Sequence, residues 1–187
     1  MCRCFVRKFY QRVEKYMNKL LIFLGCVMSM NIVAEPGFDV IGIAVRTSTA
    51  AEFAGAGAIP KLWQQFFSEQ VAAKIPHKID SSIVVVYCDF ESDKSGEYTT
   101  LIGMKVSSTQ DVPVGMVVHH VPAGDNAVFI TEKGPMAEVV VATWQKIWAL
   151  EDKGLLMQAY TSDYELYDER SQDFNNAQVE IHVALKK

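Results

Sequence analysis

Within residues 163–167, acids and aromatic or apolar residues alternate: Asp163, Tyr164, Glu165, Leu166, Tyr167. In an extended segment successive side chains point to opposite faces, so Asp163, Glu165 and Tyr167 share one face and Tyr164 and Leu166 the other. A buried carboxylate with aromatic neighbours attracts a cation, whereas a neutral guest leaves the acid's charge uncompensated. With a raised pKa and a hydroxyl such as that of Tyr98 nearby, Glu165 would instead serve as a general base for hydrolysis. On an exposed edge strand it would be only a solvated acid. Candidate wall residues for a pocket are Trp63, Tyr87, Tyr98, Phe129, Trp144, Trp148 and Tyr167. Aromatic residues at helical spacing equally build plain core, but Tyr98 and Tyr167 carry hydroxyls that need partners if buried.

Other chemistries find little support. His119 and His120 are adjacent in an extended run, point to opposite faces and cannot easily hold one ion, while His77 and His182 have no partner cluster in the sequence. No serine has the G-x-S-x-G elbow spacing. Cys2-Arg3-Cys4 is too close and too isolated for zinc. No metal and no cofactor is expected. Cys88, the one cysteine after position 26, reads as a buried strand residue, with a reactive thiol as the alternative.

Residues 1–34 stand apart. They carry Arg3, Arg7, Lys8, Arg12, Lys15 and Lys19 against the single acid Glu14, then an apolar stretch over residues 20–33 and the small residue Ala34. A basic start, a short hydrophobic run and a small residue are the order of a secretory signal. The reading is an N-terminal extension with translation starting at Met17, cleavage after Ala34, and a periplasmic or secreted domain over residues 35–187. Two alternatives are an uncleaved anchor through residues 20–33, short of the roughly 20 residues a spanning helix needs, and a lipoprotein modified at Cys26. Without residues 1–34 the chain keeps 12 of its 18 Lys and Arg and 21 of its 22 Asp and Glu, a formal net charge of −9. A phosphate backbone calls for a basic face, so nucleic acid is not an expected partner; a small molecule is.

The segments that position these residues follow from periodicity. Residues 40–45 read as a buried strand, and Pro60 opens a helix with Leu62, Trp63, Phe66, Phe67 and Val71 at three- and four-residue spacing. Residues 83–87 and 98–106, joined by a loop containing Gly96, form a hairpin. The order then recurs: extended segments over 116–121 and 126–130 flank a kink at Pro122-Ala123-Gly124. A helix with Met136, Val139, Val140, Trp144, Ile147 and Trp148 on one side comes next, then a hairpin of residues 160–167 and 179–185. Trp63-Gln64 and Trp144-Gln145 hold matching places 81 residues apart. A repeat of that length points to two fused halves, about 38–110 and 114–187, with a cleft where they meet. The expected fold is α+β: two pseudo-symmetric βαββ modules forming an antiparallel sheet with two main helices.

Over residues 38–186 the chain resembles the GyrI-like, or AraC-type effector-binding, domains, including the integron-associated effector-binding proteins. The likeness rests on Ile59-Pro60-Lys61-Leu62-Trp63-Gln64-Gln65-Phe66, on Tyr98-Thr99-Thr100-Leu101-Ile102-Gly103-Met104, on Asp163-Tyr164-Glu165-Leu166-Tyr167-Asp168-Glu169-Arg170 and on the final strand at Val179-Glu180-Ile181-His182-Val183. The resemblance implies a central pocket for small, often aromatic and cationic, compounds, with Glu165 as its carboxylate. Such domains commonly follow a helix-turn-helix, which this sequence does not show. The expected function is an exported stand-alone binding protein with Glu165, Tyr98, Tyr167, Trp63, Trp144 and Tyr87 at its ligand. The alternatives are a small-molecule hydrolase of the same fold, as some relatives are enzymes, and a protein-interaction module whose cleft is closed by core aromatics.

Overall fold

The structure, a computed structural model, describes residues 21–23, 26–28 and 30–187. The basic start, Met17 and the Cys2-Arg3-Cys4 triplet lie outside the described residues. Leu21–Phe23 (β1) and Cys26–Met28 (β2) pair antiparallel. Among the described residues no helix is long and apolar enough to cross a membrane.

Eight further strands form one antiparallel sheet: β3 Asn31–Glu35, β4 Phe38–Ser48, β5 Ile83–Cys88, β6 Glu97–Val106, β7 Val117–Val121, β8 Gly124–Ile130, β9 Ser162–Tyr167 and β10 Glu180–Ala184. Their order is β3-β8-β10-β9-β5-β6-β4-β7. The helices are α1 Thr49–Phe53, α2 Ile59–Ser68, α3 Val71–Lys74 and α4 Met136–Asp152. The fold is α+β, with the two βαββ modules present as β4-α2-β5-β6 and β8-α4-β9-β10. They meet where β5 pairs with β9, Val85 opposite Glu165.

Pro36 and Gly37 alone separate β3 from β4, although these strands lie near opposite ends of the sheet order, and Pro122 and Ala123 join β7 to β8 in the same way. The sheet therefore curls until its ends approach, and the two links run side by side, since Glu35 pairs with Gly124 and Phe38 with Val121. A Cβ added to Gly37 would stand 3.1 Å from the Ala123 nitrogen and 3.2 Å from the Val121 carbonyl oxygen, tighter than a side chain ordinarily accepts. Gly42 and Gly103, directly opposite in β4 and β6, allow another close approach: a Cβ on Gly42 would lie 2.1 Å from the Ile102 carbonyl oxygen.

Three features differ from the sequence reading, the first two for local reasons. The expected helix through Val71 breaks after Ser68, because Gln70 takes a left-handed backbone (φ 52) and Val71 begins α3. The strand expected over residues 40–45 extends to Ser48, and Thr49 starts α1, where the Ser48 Oγ accepts from the Ala51 N–H at 3.2 Å. The halves also exchange edge strands: β7 pairs with β4 and β3 pairs with β8. The expected boundary after Ala34 falls inside β3. Met30, just before β3, is buried with Ala127, Phe129, Ile147 and Ile181.

Strand alternation divides the core. Ile41, Ile43, Val85 and Ile102 pack with Leu62 and Phe66 of α2, while Ala127, Phe129, Ile181 and Val183 pack with Ile147 of α4. Val40, Val84, Val86, Cys88, Leu101, Val121 and Tyr164 fill the other face of the sheet. Burying each large side chain contributes on the order of 1.5–3 kcal/mol, which fixes α2 and α4 against the sheet. Cys88 is buried there as a free thiol, its pKa pushed up to about 12 by burial and by Asp89. Such a thiol is not a nucleophile near neutrality.

Candidate functional site

Between α2 and α4 lies a cleft of about 610 Å³, within the range of small-molecule pockets. Tyr87 of β5 and Asp163, Glu165 and Tyr167 of β9 line it, with Trp63 of α2 and Trp144 of α4. The cleft is open, so core aromatics do not close it.

Glu165 is fully buried and held by three donors. Its Oε1 accepts from the Tyr87 hydroxyl at 2.9 Å and the Trp144 indole N–H at 2.6 Å, and its Oε2 accepts from the Tyr167 hydroxyl at 2.6 Å. Burial drives its pKa up and the three hydrogen bonds pull it back, with burial the larger effect. Beside the carboxylate, burial and the Glu165 charge together raise both phenols, Tyr87 and Tyr167, well above their ordinary range. The site is thus an acid among ring faces whose hydrogen-bond donors all turn inward.

The other expected residues lie around this centre. The Trp63 ring stands edge-on to Tyr167 at 5.2 Å. Tyr98 packs against Tyr87 at 5.8 Å, but its hydroxyl bonds to Thr49 and not to Glu165. Trp148 stacks on Trp144 at 6.0 Å and meets Phe53 at 5.9 Å. Phe129 is a correction: it lies in β8 at 0% exposure, packed in the core with Ile147 and Ile181, and lines no part of the cleft. Phe53, Phe67 and Phe174, none of them among the candidate wall residues, are more than half exposed and line the cleft.

The histidines take separate partners, as alternation requires. The His119 Nε2 meets the Ser162 Oγ at 2.8 Å and the His120 Nδ1 meets Asp39 at 2.7 Å. Among the described residues no group of three or more His, Cys, Asp or Glu is placed to hold a metal.

Sequence reasoning missed two acids and an amide in the lining. Glu52 accepts from the Thr47 hydroxyl and from the N–H groups of Ala58 and Ile59, and so satisfies donors at the start of α2. Asp163 is completely buried; its Oδ1 accepts from the Ala184 N–H at 2.8 Å and its Oδ2 from the Gln158 Nε2 at 2.5 Å. Burial pushes its pKa up to about 7. The alternation that picked out Glu165 also placed Asp163 on the cleft face. Gln158 carried no such signal, because it lies outside the strands, in a bridge to Leu185.

Comparisons with known proteins agree with this architecture. The model of the Cass2 family, integron-associated effector binding proteins, matches residues 31–185, beginning at the first residue of β3. YobU of Bacillus subtilis (strain 168), named for a role in transcriptional regulation, is 33% identical over 147 residues, 78% of this chain and 91% of that protein. An integron cassette protein from the mobile metagenome of Vibrio cholerae has a TM-score of 0.67 and 31% identity over 84% of this chain and 95% of its own. SAV2435, solved bound to tetraphenylphosphonium, shares the fold at a TM-score of 0.68 and 16% identity, covering 84% of this chain and 93% of its own. The chain belongs to the integron-associated effector binding protein family.

Proposed function

We propose that this member of the integron-associated effector binding family is a binding protein whose cleft captures a small aromatic or amphipathic cation, with Glu165 as the counter-charge. The observation that carries the reading is a fully buried carboxylate facing an open, aromatic-walled cavity of about 610 Å³. A cation seated there gains from the acid and the ring faces together. Tetraphenylphosphonium, present in the structure of SAV2435, is a guest of this kind and a suitable probe. The three donors on Glu165 favour a fixed charge over a general base, since they occupy both carboxylate oxygens. Nucleic acid is not part of the proposal, in keeping with the net charge of −9 beyond residue 34.

The basic start and apolar run of the leader support export. Because Met30 is buried and β3 is paired, an exported form that keeps this fold retains both, and its cleavage point lies upstream of Met30. Mass spectrometry of the periplasmic or secreted protein tests this directly, and a mature N-terminus at Glu35 overturns it.

Calorimetric titration of the intact chain tests the binding reading. Tetraphenylphosphonium should bind, and uncharged triphenylphosphine oxide should bind far more weakly. Glu165→Gln should abolish most of the difference. Equal affinity for the two probes in the parent protein would remove the counter-charge role.

A further inference from the structure

We propose that the cleft contains a second recognition point, made by Gln158 and Asp163, that selects cationic guests carrying an additional N–H donor. It rests on the binding reading above and adds a substrate class to it: amino- or amidino-substituted aromatic cations in preference to fully alkylated or arylated ones.

The argument starts from what each group can offer. Above pH 7, where Asp163 is ionised, its carboxylate only accepts hydrogen bonds, so the Gln158 amide turns its Nε2 toward it, at 2.5 Å. The Gln158 Oε1 is then left as a buried carbonyl oxygen with no hydrogen-bond partner among the described residues. The residue is 2% exposed, and an acceptor so buried and unpaired is costly to maintain. Both Gln158 and Asp163 belong to the cleft wall.

Two donors of the same wall, Tyr160 and Lys94, are committed elsewhere. The Tyr160 hydroxyl lies 2.6 Å from both oxygens of Glu151, and the Lys94 ammonium pairs with Asp152 and Glu151. The Asp163 Oδ1 is taken by the Ala184 N–H. The unpaired acceptor is therefore held in one orientation by its own carboxylate, with no protein donor turned toward it. Asp163 and Glu165 are two residues apart on one face of β9, about 6–7 Å in strand spacing. A guest whose charge sits at Glu165 and whose N–H lies that far along the floor meets both points.

Two dyes with the same acridinium ring separate the subsite from the main site. Proflavine carries free amino groups, and acridine orange carries methyl groups in place of the amino hydrogens. Fluorescence titration of the intact protein should show proflavine bound roughly tenfold more tightly, the scale of one buried hydrogen bond. Gln158→Leu should bring the ratio of the two affinities close to one. Asp163→Asn should do the same by another route: its side-chain amide donates, so Gln158 turns over and presents Nε2 to the guest. Melting temperatures of both variants confirm that they are folded. A parent ratio near one, or a ratio that survives both substitutions, overturns the second point while leaving the role of Glu165 standing. If neither dye binds the parent protein, the underlying binding reading falls, and this inference with it.

Discussion

The two faces of β9 contain nearly the same parts and differ in one. On the face turned away from α2 and α4, the Tyr164 ring stacks on His182 at 4.2 Å and meets Phe38 edge-on at 5.2 Å. The Lys105 ammonium stands 4.1 Å from the centre of the Phe38 ring and 5.3 Å from that of Tyr164, with Glu35 and Glu180 as nearby carboxylates. Aromatic rings, acids and a cation complete one another, and the space is filled. On the opposite face, Glu165 and the rings of Tyr87, Trp144 and Tyr167 reproduce the rings and the acid around a cavity. Lys94 is the basic residue in that cavity's lining, and it is spent on Asp152 and Glu151. One face of the strand has an internal cation and serves stability; the other presents the same chemistry to an external one.

If that contrast is right, substitutions on the filled face should alter folding and those on the open face should alter binding. Tyr164→Ala should have the largest effect, a loss of about 4 kcal/mol of stability from an emptied core site, read by urea denaturation, with tetraphenylphosphonium affinity of the folded protein little changed. Asp163→Asn should show the next largest effect, and a pH-dependent one. The Asp163 pKa stands at about 7 in the fold against an ordinary 3.8, so its favourable contribution is complete below pH 4 and is lost as pH rises through 7. The variant should match the parent near pH 3.5 and exceed it at pH 8 by on the order of 3 kcal/mol; an equal gain at both pH values would contradict a buried, charge-averse carboxyl. Glu165→Gln should weaken tetraphenylphosphonium binding about 30-fold, roughly 2 kcal/mol, while raising the melting temperature at neutral pH, since the buried charge is gone. A fall in melting temperature with unchanged affinity would make Glu165 a structural acid and erase the contrast. Lys105→Met should cost least, about 1 kcal/mol of stability, with no effect on ligand affinity.

The sequence revealed the open face better than the filled one. Alternation over residues 163–167 placed Glu165 beside Asp163 and Tyr167, and helical spacing placed Trp63 and Trp144 on the helices that flank them, because both periodicities are local. Phe129 misled because a buried strand aromatic has the same local pattern whether it faces a cavity or a core. The Gln158–Asp163 pair stayed hidden because a side chain outside the strands has no period to betray its partner. The Lys105 and Glu35 contacts depend on the curl of the whole sheet, which brings together segments about seventy residues apart in sequence. The exchange of edge strands was invisible for the same reason: Asn31–Glu35 reads as the end of an apolar leader until its partner Gly124–Ile130 is known.

The side-by-side run of Pro36-Gly37 and Pro122-Ala123 bears on how such a chain arose. Each module sends its leading strand across to complete its neighbour, so neither closes its own edge. A single ancestral module would have had to lend that strand to an identical copy, making a strand-swapped homodimer with its cavity on the twofold axis. Fusion of two such modules would free the two sides of the cavity to diverge, and Glu165, with Val85 opposite it where the modules meet, puts a carboxylate on one side of that seam alone.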